Sequence, residues 1–97
     1  MAVFAISYLY TDDPGGRDRH RPDHKDYISG LADQGVVLMS GPLGPTEQPG
    51  ALIVVQADSK SAALALTEQD PFRIAGLVAE VFATEWVPML GRLAKEI

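Results

Sequence analysis

Apolar residues along the chain fall into four short runs typical of strands, separated by two stretches with helical periodicity. The β-branched and aromatic run Val3–Tyr10 ends in the turn-forming cluster Thr11–Gly16, which predicts a strand followed by a loop. The next two strands are joined by a predicted hairpin loop at Gly44–Gly50, rich in glycine and proline. The second, third and fourth strands are predicted over Val36–Leu43, Ala51–Ala57 and Ala79–Val87.

The first predicted helix begins between Asp18 and Pro22, because proline is tolerated only in a first turn. It ends at Gly35, a residue type that favours the left-handed backbone that closes a helix. Its inner face carries residues at the spacing i, i+3, i+4 and i+7, namely His24, Tyr27, Ile28 and Leu31.

The second predicted helix is capped by Asp58 or Ser59 and ends at Asp70. Pro71 sets that end, since proline disfavours helical backbone in the residue before it. A short connection over Phe72–Leu77 then leads to the fourth strand.

The resulting order is β-α-β-β-α-β, the split βαβ arrangement of the ferredoxin-like fold. We therefore predict a single α+β domain over residues 1–97, a four-stranded antiparallel sheet with two helices on one face. Both parities of each strand are apolar, as in Val3 and Leu9 against Phe4 and Ile6. Two helices cover only one face of a sheet, so the other face implies a partner, most simply a second copy. We predict a homodimer formed through the sheet face.

Composition and charge narrow the classes of function. Thirteen acidic and eight basic side chains give a net charge of −5, and no Lys/Arg cluster supports nucleic-acid binding. The absence of cysteine excludes disulfides, thiolate metal sites and a cysteine nucleophile. Apolar runs are too short to span a bilayer, and Met1–Ile6 lacks the basic region of a signal peptide. We expect a cytoplasmic domain that acts on a small molecule.

Candidate chemistry collects at one end of the predicted sheet. The first loop, the start of the first helix, the end of the second strand and Asp70 all meet there. His24 lies on the inner stripe of the helix, and Asp70 can orient its ring, which is the minimum set for a general base of fixed tautomer. Two structural interpretations stay open: a half-buried core histidine, and an Asp-Pro turn without chemistry.

Other residues at this end have weaker signals. Arg21 can hold an anionic group near a helix N-terminus, and Ser40 with Gly41 offers a hydroxyl and close backbone approach. His20 and His24 have the i, i+4 spacing of a two-histidine metal site, with Asp70 or an acidic residue of the first loop as a third ligand. The Glu of a zincin motif is missing, so we predict neither a metal site nor a tightly held organic cofactor.

Three segments in order resemble the YCII-like (YciI-related) family over nearly the whole chain. They are the helix start Arg21-Pro22-Asp23-His24, the strand end Ser40-Gly41-Pro42-Leu43, and Asp70-Pro71-Phe72 followed by Ala75-Gly76-Leu77. The resemblance implies a dimeric α+β barrel whose active site is a His–Asp pair, here His24 and Asp70, with Arg21 as the family's arginine. One branch of the family is associated with dehydrochlorination of a chlorinated hydroxyquinol. Lys25 and Asp26 depart from the apolar face expected after the histidine.

Together these observations predict an enzyme without a cofactor that performs acid/base elimination or isomerisation on a small molecule. His24 and Asp70 are the predicted catalytic pair, and the predicted substrate-binding residues are Arg21, Ser40, Gly41, Pro42 and Phe72. The alternative is a non-catalytic dimeric module that binds a ligand or serves a larger assembly.

Overall fold

The computed structural model describes all 97 residues and contains four strands, three helices and a C-terminal 3-10 helix. Their bounds in chain order are β1 (Ala2–Tyr10), α1 (Pro14–Asp33), β2 (Val37–Pro42), β3 (Gly50–Ala57), α2 (Lys60–Thr67), α3 (Pro71–Ile74), β4 (Val78–Glu85) and the 3-10 helix (Arg92–Glu96). The strands form one antiparallel sheet in the order β2-β3-β1-β4. The predicted ferredoxin-like α+β fold is confirmed.

Alternation along the central strands explains which sheet face is buried. In β1 the side chains of Phe4, Ile6 and Tyr8 point to the helical side and are almost inaccessible to water. Across the ladder, Ile53 and Val55 of β3 point the same way and join them in one core. Ile28 and Leu31 of α1 pack against this core, which accounts for the apolar stripe seen in the sequence.

Helix α1 begins at Pro14, earlier than the predicted start between Asp18 and Pro22. Pro14 occupies the first turn, and the carboxylate of Asp13 accepts the backbone N–H of Gly16 at 2.9 Å as the N-terminal cap. Pro22 therefore lies inside the helix on an exposed position, where the backbone carbonyl left without its helical donor can bond to water.

Gly16 is buried where α1 starts, and it does not belong to a flexible loop as the sequence suggested. A Cβ atom there would lie 2.9 Å from Leu77 Cδ2 and closer still to the Asp13 carboxylate. The glycine allows the first turn of α1 to approach the segment after α3.

Two further differences concern the second half of the chain. The predicted connection Phe72–Leu77 overlaps a short helix, α3, capped by Asp70, and β4 is displaced toward the N-terminus relative to the predicted Ala79–Val87. The 3-10 helix at Arg92–Glu96 was not predicted, because five residues leave no clear periodicity.

The second sheet face remains open in the single chain. Met39, Leu52 and Phe82 are 42%, 43% and 53% exposed, and they come from three different strands of that face. In the register of the ladders these residues alternate with the helix-facing ones, so the doubly apolar strands of the sequence correspond to one buried and one open face. No helix combines the length and the apolarity required to cross a bilayer.

Candidate active site

Asp70 lies between α2 and α3 and is completely buried. Its backbone is extended, as expected before proline, and its Oδ1 accepts the backbone N–H of Phe72 at 3.0 Å. The side chain thus caps α3 and is fixed in direction by the turn that the Asp-Pro pair starts. A buried carboxylate needs further donors, and two side chains supply them.

His24 is the first of these donors. Its Nδ1 lies 2.8 Å from Asp70 Oδ1, the ring is 14% exposed and the carboxylate is wholly inaccessible. An ionised carboxylate only accepts hydrogen bonds, and a neutral imidazole at this distance from one carries its proton on Nδ1 and its lone pair on Nε2. Helix α1 places His24 two turns after Gly16, on the side that faces α3.

Phe72 fixes the plane of the imidazole. The two rings are stacked, with centroids 4.0 Å apart and planes inclined by only 4°. Since Phe72 is 2% exposed, its ring is a rigid wall, and Tyr10 meets its edge at 5.6 Å with an interplanar angle of 89°. His24 is thereby held by a hydrogen bond at Nδ1 and by packing on one ring face.

Tyr8 is the second side-chain donor to Asp70, and the sequence analysis assigned it no role at the site. The phenol O–H donates to Asp70 Oδ2 at 2.8 Å, in a place where both residues have no exposed surface. The only sequence signal was a polar hydroxyl on the apolar parity of β1, and a buried tyrosine O–H requires an acceptor.

A cavity of about 500 Å³ opens beside this pair, between α1 and the end of β2. It brings together six of the seven residues predicted for the site, namely Arg21, His24, Ser40, Gly41, Pro42 and Phe72, while Asp70 lies buried behind His24. The remaining lining residues are Tyr10, Lys25, Ile28, Ser29 and Ala51. Lys25 and Ser29 follow Arg21 at intervals of four, the spacing that marks one helix face, so this signal was present in the sequence.

A bulge in β2 gives Ser40 its direction. The ladder pairs Val37 with Val55 but Met39 with Val54, which shifts the register by one residue. Ser40 consequently lies opposite Ile53 on the helical side, beside the cavity, while Met39 turns to the open face. Bulges re-aim side chains in this way, and alternation alone does not reveal them.

Cations are the only charged groups on the cavity wall. Arg21 and Lys25 line it, whereas no Asp or Glu does, although the chain as a whole carries −5. Arg21 also pairs with Asp18 one helical turn earlier. Burial and then the Asp70 carboxylate raise the pKa of Tyr10, with Arg17 and Arg21 opposing, so this phenol stays neutral at physiological pH.

Other parts of the molecule lack the chemistry of this cavity. A cleft of about 650 Å³ runs along the C-terminal segment beside Met39, but its lining is apolar except for Arg92, so it offers no acid/base pair. No group of three or more His, Asp or Glu side chains converges as a metal site would require, His20 and His24 included.

The fold is that of a ferredoxin-like α+β protein, and its His–Asp pair lies beside a cavity. The YCII-related domain profile matches residues 2–87, and the chain belongs to this family. No curated protein matches the chain.

Solved structures share the fold at low sequence identity. TftG of Burkholderia phenoliruptrix, a 5-chloro-2-hydroxyhydroquinone dehydrochlorinase solved with 2,5-dihydroxybenzoquinone, is 23% identical with a TM-score of 0.73, over 87% of this chain and 92% of that one. An antibiotic biosynthesis monooxygenase is 8% identical with a TM-score of 0.56, over 89% and 96% of the two chains. A dabb family protein of Mesorhizobium loti is 14% identical with a TM-score of 0.52, over 92% and 99%. These similarities concern the fold, which hosts different chemistries.

Proposed function

We propose that the chain is a small-molecule enzyme in which His24 and Asp70 act as a general acid/base pair for elimination or isomerisation. The observation that carries the proposal is the 2.8 Å contact between His24 Nδ1 and the wholly buried Asp70 carboxylate, with the imidazole on the cavity wall. A base needs a free lone pair that faces the substrate, and with Nδ1 bonded to Asp70 this role falls to Nε2.

Each residue of the pair has a distinct role in the proposed reaction. His24 Nε2 takes the proton from the substrate and returns it where the reaction requires an acid. Asp70 keeps the other proton on Nδ1 and stabilises the imidazolium that forms, since an opposite charge at hydrogen-bond distance favours the charged ring. Such proton transfer accelerates a reaction by ~10²–10⁴-fold, which suits an activated substrate.

The cavity wall supports a substrate with an anionic group. Arg21 and Lys25 are the charged residues there, and the absence of carboxylates on the wall removes repulsion that an acidic chain would otherwise exert. Ser40 adds a hydroxyl, and Gly41 lets a ligand approach the backbone, since no atom lies within 4 Å of a Cβ built there.

Dehydrochlorination is the elimination that the family relationship favours, because TftG is a dehydrochlorinase. In such a reaction His24 Nε2 takes a proton from a substrate hydroxyl and returns it to the carbon that bears chlorine, which gives a keto tautomer. A second hydroxyl then loses its proton, its electron pair forms a C=O bond with a shift of the ring double bonds, and chloride departs with the pair of the C–Cl bond. The step loses HCl and needs no oxidant or reductant.

Chloride release from 5-chloro-2-hydroxyhydroquinone tests the proposal. The variants are His24→Asn, which keeps an N–H donor beside Asp70 but removes Nε2, and His20→Asn as the control outside the cavity. We expect the His24 variant to lose about 10²-fold or more in rate and the control to match wild type. Equal rates in both variants contradict the assignment.

The non-catalytic alternative has its own signature. A binding module shows no turnover, but 2,5-dihydroxybenzoquinone raises the melting temperature of wild type and of His24→Asn to the same extent, by mass action. That result replaces the enzyme with a ligand-binding protein.

A homodimer through the open sheet face is part of the same proposal. The exposed apolar side chains Met39, Leu52 and Phe82 form a face that a second copy would cover. Light scattering at micromolar concentration should give twice the chain mass of 10.4 kDa, and Leu52→Glu should give the monomer mass. A monomeric wild type contradicts the dimer.

A further inference from the structure

Asp70 has three hydrogen-bond donors, and they are divided unequally between its two oxygens. Oδ1 accepts His24 Nδ1 at 2.8 Å and the backbone N–H of Phe72 at 3.0 Å. Oδ2 accepts the Tyr8 hydroxyl at 2.8 Å and nothing else. With the carboxylate wholly buried, no solvent can replace a lost donor, so Oδ2 depends on Tyr8 alone.

The Tyr8 hydroxyl keeps its proton, and its position is held by the sheet. Burial, and then the adjacent Asp70 carboxylate, raise the pKa of Tyr8 well above that of an ordinary phenol, so the hydroxyl keeps its proton. Tyr8 sits on central strand β1, paired with Ala51 on one side and Val81 on the other. Its edge contact with Tyr10, at 6.3 Å between centroids, joins it to the rings that hold His24.

The state of Asp70 controls the tautomer of His24. An ionised carboxylate accepts at Oδ1, keeps the imidazole proton on Nδ1 and leaves the lone pair on Nε2. A carboxyl group that has taken up a proton can instead donate to Nδ1, which moves the ring proton to Nε2 and removes the base from the cavity. The donor at Oδ2 favours the ionised form, because a hydrogen bond to a charged group stabilises that charge.

We propose that Tyr8 is a positioning residue of this site, a third member that holds Asp70 ionised and oriented so that His24 presents Nε2 to the substrate. The proposal rests on the proposed function of the pair and adds a residue from the core of the sheet. Tyr8 lies outside the cavity lining and acts only through Asp70.

The nitrogen-15 NMR signals of the His24 ring test this in Tyr8→Phe, with Tyr27→Phe as the matched control. Tyr27 also donates one phenol hydrogen bond, to the backbone carbonyl of Leu66 at 2.6 Å, and it belongs to the same helix as His24. Each variant is compared with wild type at the same pH.

Tyr8→Phe is expected to lower the ratio of the Nδ1–H to the Nε2–H tautomer by about tenfold, the equivalent of one hydrogen bond to a charged group. Tyr27→Phe is expected to leave the ratio at the wild-type value. An unchanged ratio in Tyr8→Phe overturns the role of Tyr8 while the pair stands. A wild-type ring that lacks the Nδ1–H tautomer instead overturns the proposed function, so the two failures are distinct.

A measurement on wild type covers the case in which Tyr8→Phe does not fold. The Tyr8 hydroxyl proton should exchange slowly with water and show a nuclear Overhauser effect to the Asp70 β protons. A rapidly exchanging hydroxyl without that contact overturns the proposal.

Discussion

Asp70→Ala is the substitution whose effect on stability follows most directly from the contacts at the site. It removes the acceptor of three hydrogen bonds, from Tyr8, His24 and the backbone of Phe72. Asp70→Asn provides the comparison, because an amide oxygen can still accept at the Oδ1 position. Asp26→Ala removes an exposed acidic side chain of α1 and serves as the control.

The magnitude comes from the groups left without partners. The buried Tyr8 hydroxyl without its acceptor costs about 1–3 kcal/mol, and the lost cap at Phe72 costs about 1 kcal/mol. The half-buried His24 ring loses one further bond worth about 1 kcal/mol. Removal of a buried carboxylate offsets part of this loss, because a buried charge is costly to desolvate. We therefore expect Asp70→Ala to lower the free energy of unfolding by about 3 kcal/mol. Asp70→Asn is expected to lower it by about 1 kcal/mol.

Urea unfolding followed by circular dichroism at pH 7 measures these differences. A domain of this size has a free energy of unfolding of about 5–15 kcal/mol, so both variants remain folded without denaturant. Equal midpoints for Asp70→Ala and Asp26→Ala would refute the reasoning, because Asp70 would then stabilise nothing. Equal losses in the Ala and Asn variants would show that charge, and not the acceptor geometry, stabilises the site.

Two other predictions concern glycine substitutions and the dependence of stability on pH. Gly50→Ala should lower the free energy of unfolding by about 2 kcal/mol or more, because the new Cβ would lie 2.2 Å from the Tyr8 carbonyl oxygen. Gly30→Ala should raise it by about 0.5–1 kcal/mol, because a Cβ at this helix position meets open space. Thermal unfolding of both variants measures the two effects, and equal effects contradict the prediction. Because the pKa of Tyr8 is raised in the folded chain, its contribution to stability is complete below pH ~10 and is lost as pH rises further, with a slope of up to about 1.4 kcal/mol per pH unit. Tyr8→Phe should reduce the slope of unfolding free energy against pH above pH 10 by that amount, and identical slopes in urea titrations exclude a buried neutral phenol.

The fold was predictable because each element carries its own local signal. Turn residues separate the strands, and Ser59 caps the second helix as predicted, although that helix ends at Thr67, three residues before the end that Pro71 indicated. The start of α1 was not predictable, because the cost of an internal proline argues against a helix that continues through Pro22. In the structure, the cap by Asp13 and the packing of Gly16 against Leu77 outweigh that cost. Sequence rules for single elements do not show whether the proline cost or the helix cap is larger when tertiary contacts determine where a helix begins.

The candidate site was predictable where a side chain lies on the inner stripe of a helix or beside a breaker, as His24 and Asp70 do. Arg21 was expected near a helix N-terminus but lies two turns inside α1, which begins at Pro14. The site was not predictable where the direction of a strand residue matters. The bulge in β2 turns Ser40 toward the cavity. The sequence indicates only a core aromatic at Tyr8, and the structure alone shows that its hydroxyl is the one donor to Asp70 Oδ2. Both depend on pairing between strands that are distant in the chain.

The position of the imidazole proton in the wild-type protein tests the central claim most directly. The chain has only two histidines, so nitrogen-15 spectra of the rings contain two sets of signals, which His20→Gln assigns. At a pH where the ring is neutral, we expect His24 to carry its proton on Nδ1 and a free lone pair on Nε2. A His24 ring with its proton on Nε2, or one that averages between tautomers as a solvated histidine does, would contradict the account.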